Sequence, residues 1–349
     1  MRHAVILAGG SGERFWPVSR DDRPKPFLAL DGSTSLLRAT FERLRGLVPA
    51  ERVWVVAAER HAPRVRRELP EIPRNHVLGE PRGRNTAPAL HLAALAILRE
   101  DPEGVLLALP ADAWVPRIAP FARALRSALS AAEAEDRLVL VGVKPVRAET
   151  GYGYIEPGER LGRGPARHVL RFVEKPSAAR AKRFLREGRH LWNAGIFAWR
   201  AGVYGEAVAR HLPGLAAAFR GLEGRRPTGA GLAAAYAAAP TISVDYGILQ
   251  HSDRVAVVPA DFAWDDLGAW SALARLDPAF RKGDVFAWDS PGLLAWAEGG
   301  RVAVIGVPDV VVVHTPEATL VVARDRAQDV RRVAEALRGE VRKNRLKEG

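Results

Sequence analysis

The residues whose types and spacing could do chemistry begin with Gly9, Gly10, Gly12, Arg14 and Lys25. The run from Ala4 to Leu7 has the length and makeup of a buried strand, and it ends in Ala8-Gly9-Gly10-Ser11-Gly12, which has little side chain to keep a ligand away. Successive bare amides at a strand end make a concave site for an anion. With a guanidinium at the loop exit and an ammonium further along, phosphate is the expected guest. Three familiar glycine loops are excluded. A Walker loop needs Lys-Ser or Lys-Thr directly after its last glycine, where Glu13-Arg14 stands. A dinucleotide fingerprint needs a small residue where Phe15 stands, and a hydrolase elbow fails at Glu13.

Six further stretches hold chemically able residues. Gly79-Glu80-Pro81-Arg82-Gly83-Arg84-Asn85-Thr86 reads as a loop before an alanine-rich helix, with Asn85 or Thr86 as its cap. Leu107 to Asp112 is an apolar strand ending in a carboxylate, which could also cap a following helix. The two glycines around Tyr152, Gly151 and Gly153, suggest a close backbone approach or a bulge. Glu174 and Lys175 end a strand side by side, and since alternate strand side chains face opposite ways they act together only if the turn re-aims them; the other reading is a surface ion pair. Asn193 follows in Leu191-Trp192-Asn193-Ala194-Gly195. Finally Asp265 and Asp266 lie between Trp264 and Gly268, with helix capping as their plainer reading and packing as the role of Trp264 and Trp270.

Composition narrows the class. The chain has 349 residues, a net charge of +12 and no cysteine, which removes disulfides, thiolate metal sites and thiol catalysis. Its 52 basic residues comprise seven Lys and forty-five Arg, against four Asn and two Gln, so each Lys or Asn retained inside a motif is informative. The arginines are spread rather than striped, which predicts a solvated basic surface and no nucleic-acid partner. No apolar run reaches spanning length and Met1-Arg2-His3 leads straight into the first strand, so neither a membrane span nor a leader is expected, and the cytoplasm is the expected location.

The elements that must position these residues alternate. Val53 to Ala57, Val105 to Leu109 and Leu138 to Val143 read as strands; Leu36 to Leu47, Ala87 to Arg99 and Phe121 to Ala134 read as helices. The alternation predicts an α/β fold, a mostly parallel sheet flanked by helices, with ligands beyond the carboxyl ends of its strands. After about residue 282 short β runs (302–307, 310–313, 320–323) lack helical partners, which predicts a small second domain. It should close with a helix capped by Asp325 and Gln328 and striped by Val330, Val333, Ala334 and Leu337.

The opening run Gly9 to Arg20, followed by Pro24-Lys25-Pro26-Phe27, resembles the sugar-nucleotide nucleotidylyltransferases. Its Trp16-Pro17-Val18-Ser19-Arg20 part resembles the mannose-1-phosphate guanylyltransferases. The resemblance covers nearly the whole chain. It implies a Rossmann-like (GT-A-like) mixed sheet over residues 1–282 and, over 283–349, a partial left-handed β-helix with a terminal helix that helps form a homodimer. It implies the short type, without an isomerase domain. The reaction implied is GTP plus mannose 1-phosphate giving GDP-mannose and pyrophosphate. Leu7, Ala8, Gly9, Gly10, Gly12, Glu80, Arg84, Asn85 and Thr86 would bind the nucleotide, with Glu80 toward the guanine edge. Gly153, Glu174, Lys175 and Asn193 would bind the sugar phosphate. Asp112 and Asp266 would hold Mg2+ or another divalent cation, while Arg14 and Lys25 hold the leaving pyrophosphate. The chain departs from the family pattern at Ala113, where a His commonly follows the Asp, and at His314, where an Asp is usual.

Three rivals remain at this stage. One is the same chemistry with glucose 1-phosphate and dTTP or UTP; another is a non-catalytic regulatory subunit that binds a nucleotide sugar. The third is a basic RNA-binding protein, for which steep salt dependence would be the mark.

Overall fold

The structure is a computed structural model and describes residues 1–345 other than 11, 31 and 226, with side chains to residue 337. Ser11 of the glycine loop therefore lies outside the described residues. The chain divides into two compact units, one of Met1–Gly9, Leu37–Ala111 and Val115–Trp264, the other of Gly10–Leu36, Asp112–Trp114 and Asp265–Gly349.

The first unit is built on a nine-stranded sheet. Its strands are β1 (Arg2–Leu7), β2 (Val53–Ala58), β3 (Val77–Glu80), β4 (Val105–Pro110), β5 (Leu138–Val143), β6 (Tyr154–Arg160), β7 (Arg167–Val173), β8 (Leu191–Arg200) and β9 (Val255–Ala260). They lie in the order β3-β2-β1-β4-β8-β5-β9-β7-β6. The half from β3 to β4 is parallel throughout, and β7 and β8 run against the rest. Strands covered on both faces read as unbroken apolar runs, and Ala4, Val5 and Ile6 of β1 are fully buried. Parallel register brings the carboxyl ends level: Leu7 stands beside Val56 and Pro110, and Ala58 beside Glu80.

Helices α1 (Leu36–Glu42), α2 (Ala62–Glu68), α3 (Thr86–Glu100), α4 (Ile118–Ala134), α5 (Ala178–Glu187), α6 (Ala201–His211), α7 (Pro213–Phe219) and α8 (Gly229–Ala238) follow in chain order. The first helix expected from the sequence ends at Glu42, five residues early, where single turns carry the chain to Val48. Helix α3 packs against α6 and buries residues all round, from Ala87 to Ile97, because its small side chains fit between helix and sheet. Trp199, Tyr204, Tyr236 and Phe219 complete this core. A fully buried aliphatic side chain such as Ile6 contributes about 1.5–3 kcal/mol relative to exposure.

The second unit joins the residues after the glycine loop to the C-terminal strands. Phe15, Val18 and Leu28 share one core with Leu267, Trp270, Trp296 and Val311. Helix α9 (Trp270–Leu276) leads to β10 (Arg281–Trp288), β11 (Leu294–Ile305), β12 (Val310–His314) and β13 (Thr319–Ala323). The first three are parallel neighbours, as successive coils of a β-helix are, and β13 returns antiparallel. The terminal helix α10 (Val330–Arg345) differs from expectation at its start. A 3-10 turn, Arg324–Asp329, precedes it, entered from Ala323 with no side-chain cap, so Asp325 and Gln328 do not form a capping box. Of the expected stripe, Val330 and Ala334 are buried while Val333 and Leu337 are exposed.

Candidate active site

In the first unit the loop after β3 begins with Glu80, whose carboxyl is buried. Its Oε1 accepts from the Tyr236 hydroxyl at 3.1 Å, and its Oε2 lies where a Cβ on Gly9 would come within 3.3 Å. Burial pushes the Glu80 carboxyl up to about 7, with the Tyr236 hydrogen bond opposing that shift. Arg84 has a different role from its neighbour. Its guanidinium donates to the carbonyls of Tyr236 (2.9 Å) and Ala237 (3.0 Å), at the C-terminal end of α8, and to the Thr241 hydroxyl (3.0 Å). Cations suit that end of a helix, where carbonyls lack partners. The fork expected to meet a nucleotide is thus engaged by the chain itself.

Asn85, at φ 70°, caps α3 by accepting from the Thr86 amide at 2.8 Å. Thr86 reaches elsewhere: its hydroxyl accepts from the Val244 amide at 3.0 Å, while the Ala87 amide donates to Ile242. The second motif therefore anchors residues 242–244 and, next to them, Asp245.

Asp245 meets Asn193, one of the residues that the resemblance assigns to the sugar phosphate. Asn193, on β8, donates through Nδ2 to Asp245 Oδ1 at 2.8 Å, and its own Oδ1 accepts from the Gly195 amide at 3.1 Å. Its main-chain amide donates to Gly153 O at 2.8 Å. Gly153 is required here because a Cβ would stand 2.5 Å from Glu174 Oε2 and 2.9 Å from the Phe172 ring. Beyond β7 a turn brings the two side chains together as an ion pair, the other reading of this stretch, with the lysine exposed and the glutamate buried. Lys175 adopts φ 46°, the Glu174 amide donates to Gln250 Oε1 at 3.1 Å, and Lys175 Nζ meets Glu174 Oε1 at 2.8 Å. The structure thus brings Gly153, Glu174, Lys175 and Asn193 together and adds Asp245 and Gln250, which the sequence reading left unassigned. The signal for Gln250 was present, since the chain holds only two glutamines.

The second unit gathers Gly12, Arg14, Lys25, Asp112 and Asp266. Gly12 sits at φ 62°, and a Cβ there would come within 2.4 Å of Lys25 Cβ. After it a short turn, Glu13–Phe15, buries Phe15 against Trp270 with ring centroids 4.9 Å apart, and the Trp270 indole N–H donates to Trp16 O at 3.1 Å. That packing holds Arg14, which donates to Gly268 O at 3.1 Å. A Cβ on Gly268 would touch both the Asp266 carboxylate, at 3.1 Å, and Arg14 Nη1, at 3.5 Å, so glycine lets the two charges share one neighbour.

Asp112 is drawn to this place by main-chain pairing: Trp114 and Asp265 form an isolated antiparallel bridge, with N–O distances of 2.9 and 3.2 Å. Asp265 builds the turn that carries Asp266. It is buried, accepts from the Leu267 amide at 2.9 Å, holds Leu267 at φ 49° and meets Arg275 at 3.2 Å. Neither acid caps α9, which starts from Ala269 without a side-chain cap. Lys25 ties the set together, with Nζ 2.8 Å from Asp112 Oδ2 and 2.6 Å from the Asp266 carbonyl oxygen. It also lies over the Phe15 ring, 5.7 Å from its centroid.

Residues 3–282 match the family described as nucleotidyl transferase, and residues 283–337 match the MannoseP isomerase/GMP-like beta-helix domain. The mannose-1-phosphate guanylyltransferase of Escherichia coli K12 is 37% identical over 97% of this chain and 74% of its own length. The xanthan biosynthesis protein XanB of Xanthomonas campestris is 39% identical over 96% of this chain and 73% of its own. A crystal structure from Thermus thermophilus, described as a mannose-1-phosphate geranyltransferase, superposes with a TM-score of 0.88 at 40% identity, covering 97% of this chain and 99% of that one. The chain belongs to the mannose-1-phosphate guanylyltransferases of the nucleotidyl transferase family.

For a nucleotidyltransferase, which must manage polyanions, the two lysine pairs have opposite build at the same 2.8 Å separation. In the pair of the second unit the lysine side chain is 6% exposed and the Asp112 side chain 30%; in that of the first unit Lys175 is 54% exposed and Glu174 8%. One pair turns a carboxylate outward and the other an ammonium. The expectation that Lys25 offers its charge to pyrophosphate therefore meets a buried ammonium already held by two oxygens. His314, at the position where the family usually has Asp, is engaged with the Thr319 hydroxyl at 2.9 Å. Among the described residues no helix is long and apolar enough to cross a membrane.

Proposed function

We propose that this nucleotidyltransferase transfers the guanylyl group of GTP to mannose 1-phosphate, giving GDP-mannose and pyrophosphate. The observation that carries the reading is the outward carboxylate of Asp112, backed by a buried ammonium and close in the fold to Asp266. Family membership supplies the rest, since relatives that share almost this entire chain are named for the same transfer.

The attacking group is a phosphate monoester that carries about −1.5 to −2 charges at neutral pH, so no base is needed to create it. The obstacle is repulsion. Unit charges about 4 Å apart interact by roughly 4 kcal/mol at an effective dielectric of 20, and several such pairs arise as the substrates approach. In this proposal Lys175 takes the phosphate of the sugar phosphate, and Glu174 and Asn193, on either side of Gly153, take sugar hydroxyls. Arg14, carried at the glycine-loop exit, offers its remaining N–H donors to the phosphates of the nucleotide. Gly9, Gly10 and Gly12 supply main-chain donors without bulk, next to Leu7 and Ala8 at the strand end, where the Ala8 amide already donates to Val56 O at 2.8 Å, and Glu80 supplies an acceptor toward the base.

A divalent cation such as magnesium fits the residues present. Asp112 and Asp266 are hard oxygen donors, and Asp112 Oδ1 is not the oxygen that meets Lys25. Such an ion, when bound, would supply positive charge to the reacting phosphates. Lys25 then orients Asp112 rather than meeting pyrophosphate. Arg84, Asn85 and Thr86 act on the ligand through the segments they hold. We further propose a catalytic domain of 1–282, a C-terminal domain of 283–349 that makes a homodimer contact, and a cytoplasmic location.

The test is a panel of nucleoside triphosphates and sugar 1-phosphates with magnesium, scored for pyrophosphate release. GTP with mannose 1-phosphate should be preferred at least tenfold. Preference for dTTP or UTP with glucose 1-phosphate would overturn the base and sugar assignment, and no release from any pair would overturn the activity.

A further inference from the structure

We propose that Asp245 is a positioning residue for the sugar phosphate: it holds the Asn193 carboxamide so that one N–H of that amide remains for a ligand oxygen. The inference rests on the functional reading above and goes beyond its residue set.

The geometry leaves the amide one orientation. Its oxygen accepts from the Gly195 amide at 3.1 Å, and its nitrogen donates to Asp245 Oδ1 at 2.8 Å. A reversed amide would face donor with donor at Gly195 and acceptor with acceptor at Asp245. A primary amide has two N–H donors, and the described residues supply an acceptor for one of them. Asn193 is only 8% exposed, so water satisfies the second poorly and a sugar hydroxyl or phosphate oxygen would satisfy it well.

Asp245 is itself held from several sides. The Thr86 hydroxyl fixes Val244, Arg84 O accepts from Ile242, and Ile242 O accepts from Ala87, so the loop before α3 sets where Asp245 stands. A π-type turn, Asp245–Leu249, starts at this residue. The groups facing it are Glu174 and Lys175 beyond β7, Asn193 on β8, Tyr204 of α6 and the adjacent Tyr246, whose ring lies 5.6 Å from Lys175 Nζ. Burial, and then the Glu174 carboxylate, push the Asp245 carboxyl up to about 7, while Lys175 and Asn193 oppose that shift. The chain keeps an acid where two carboxyl groups disfavour each other, and a main-chain hydrogen bond, the Lys175 ammonium and the Asn193 amide offset this.

The experiment measures kcat and KM for mannose 1-phosphate and for GTP in wild type, D245A, N193A and the double variant. D245A and N193A should each raise the mannose 1-phosphate KM about tenfold and leave kcat and the GTP KM within about twofold. The double variant should be no more than about threefold worse than N193A, because the first residue acts through the second. D245N keeps an acceptor for the amide and should recover KM to within about threefold of wild type. If D245A does not fold, D245S, whose hydroxyl is too short to reach the amide, takes its place. An unchanged KM, an equal rise in the GTP KM, or multiplying effects near a hundredfold in the double variant would each overturn the positioning role. These outcomes are separable from failure of the functional reading, which would show as a wild-type protein that releases no pyrophosphate.

Discussion

Two ion pairs of equal length, Lys25–Asp112 and Lys175–Glu174, have been given opposite faces by the segments that carry them. Lys25 follows a chain folded back tightly at Gly12 and lies over Phe15, so its ammonium is inside and Asp112 is left toward solvent. Lys175 follows a strand end and takes a left-handed conformation, so Glu174 is inside against Gly153 and the ammonium is outside. A buried charge holds its partner in place; an exposed one is the charge a ligand meets. The first pair is therefore suited to a cation and the second to an anion, a difference that neither residue types nor separation reveals.

The comparison breaks first at Asp112. Asp112→Ala should reduce kcat about a thousandfold, equivalent to roughly 4 kcal/mol, as expected when several kcal/mol of charge stabilisation are lost. A loss below tenfold, measured by pyrophosphate release at saturating substrates, would deny the outward carboxylate its role. Next comes the fold-back. Gly12→Ala places a Cβ 2.4 Å from Lys25 Cβ at a positive φ and should cost about 2–4 kcal/mol in urea unfolding. Gly10→Ala, with nothing within 4 Å of its Cβ, should stay within about 0.5 kcal/mol.

Glu80, in the first unit, sharpens the comparison as a buried carboxyl whose hydrogen-bond partner is the Tyr236 hydroxyl rather than a lysine. Its pKa is raised to about 7 from an ordinary 4.5, so the folded state holds a proton that the unfolded state has already lost between those values. Stability from this group is present below about pH 4.5 and is lost as pH rises to about 7, on the order of 3 kcal/mol in all. Glu80→Gln should flatten that part of the stability–pH curve, leaving the similar slope from Asp245, and an unchanged slope in urea titrations at pH 5 and 8 would contradict the assignment. The smaller of the two effects on activity is that of Lys175→Ala, expected to raise the mannose 1-phosphate KM about tenfold with kcat within threefold.

Much of the fold was legible because buried parallel strands are unbroken apolar runs: Leu138–Val143 was read to the residue. The cap of α3 was narrowed to Asn85 or Thr86, of which Asn85 makes the bond, and the stretch at Lys175 was left between a re-aimed pair and an ion pair, of which the ion pair is what forms. What was not legible depends on distance along the chain. Arg84 meets the end of α8 from 152 residues away, and Asn193 meets Asp245 from 52, so their partners have no local trace. The burial of Lys25 was hidden too, since lysine between two prolines looks like a solvent cation until Phe15 and Asp112 close on it. At residues 325–328 the capping pattern was present, but a 3-10 turn took those residues.

The asymmetry of the two lysine pairs is tested most directly by titrating magnesium into pyrophosphate-release assays of wild type, Asp112→Asn and Lys175→Met. The account predicts that Asp112→Asn needs at least tenfold more magnesium for half-maximal rate, while Lys175→Met keeps the wild-type curve at saturating sugar phosphate. Superposed magnesium curves for Asp112→Asn and wild type, or a displaced curve for Lys175→Met alone, would contradict it.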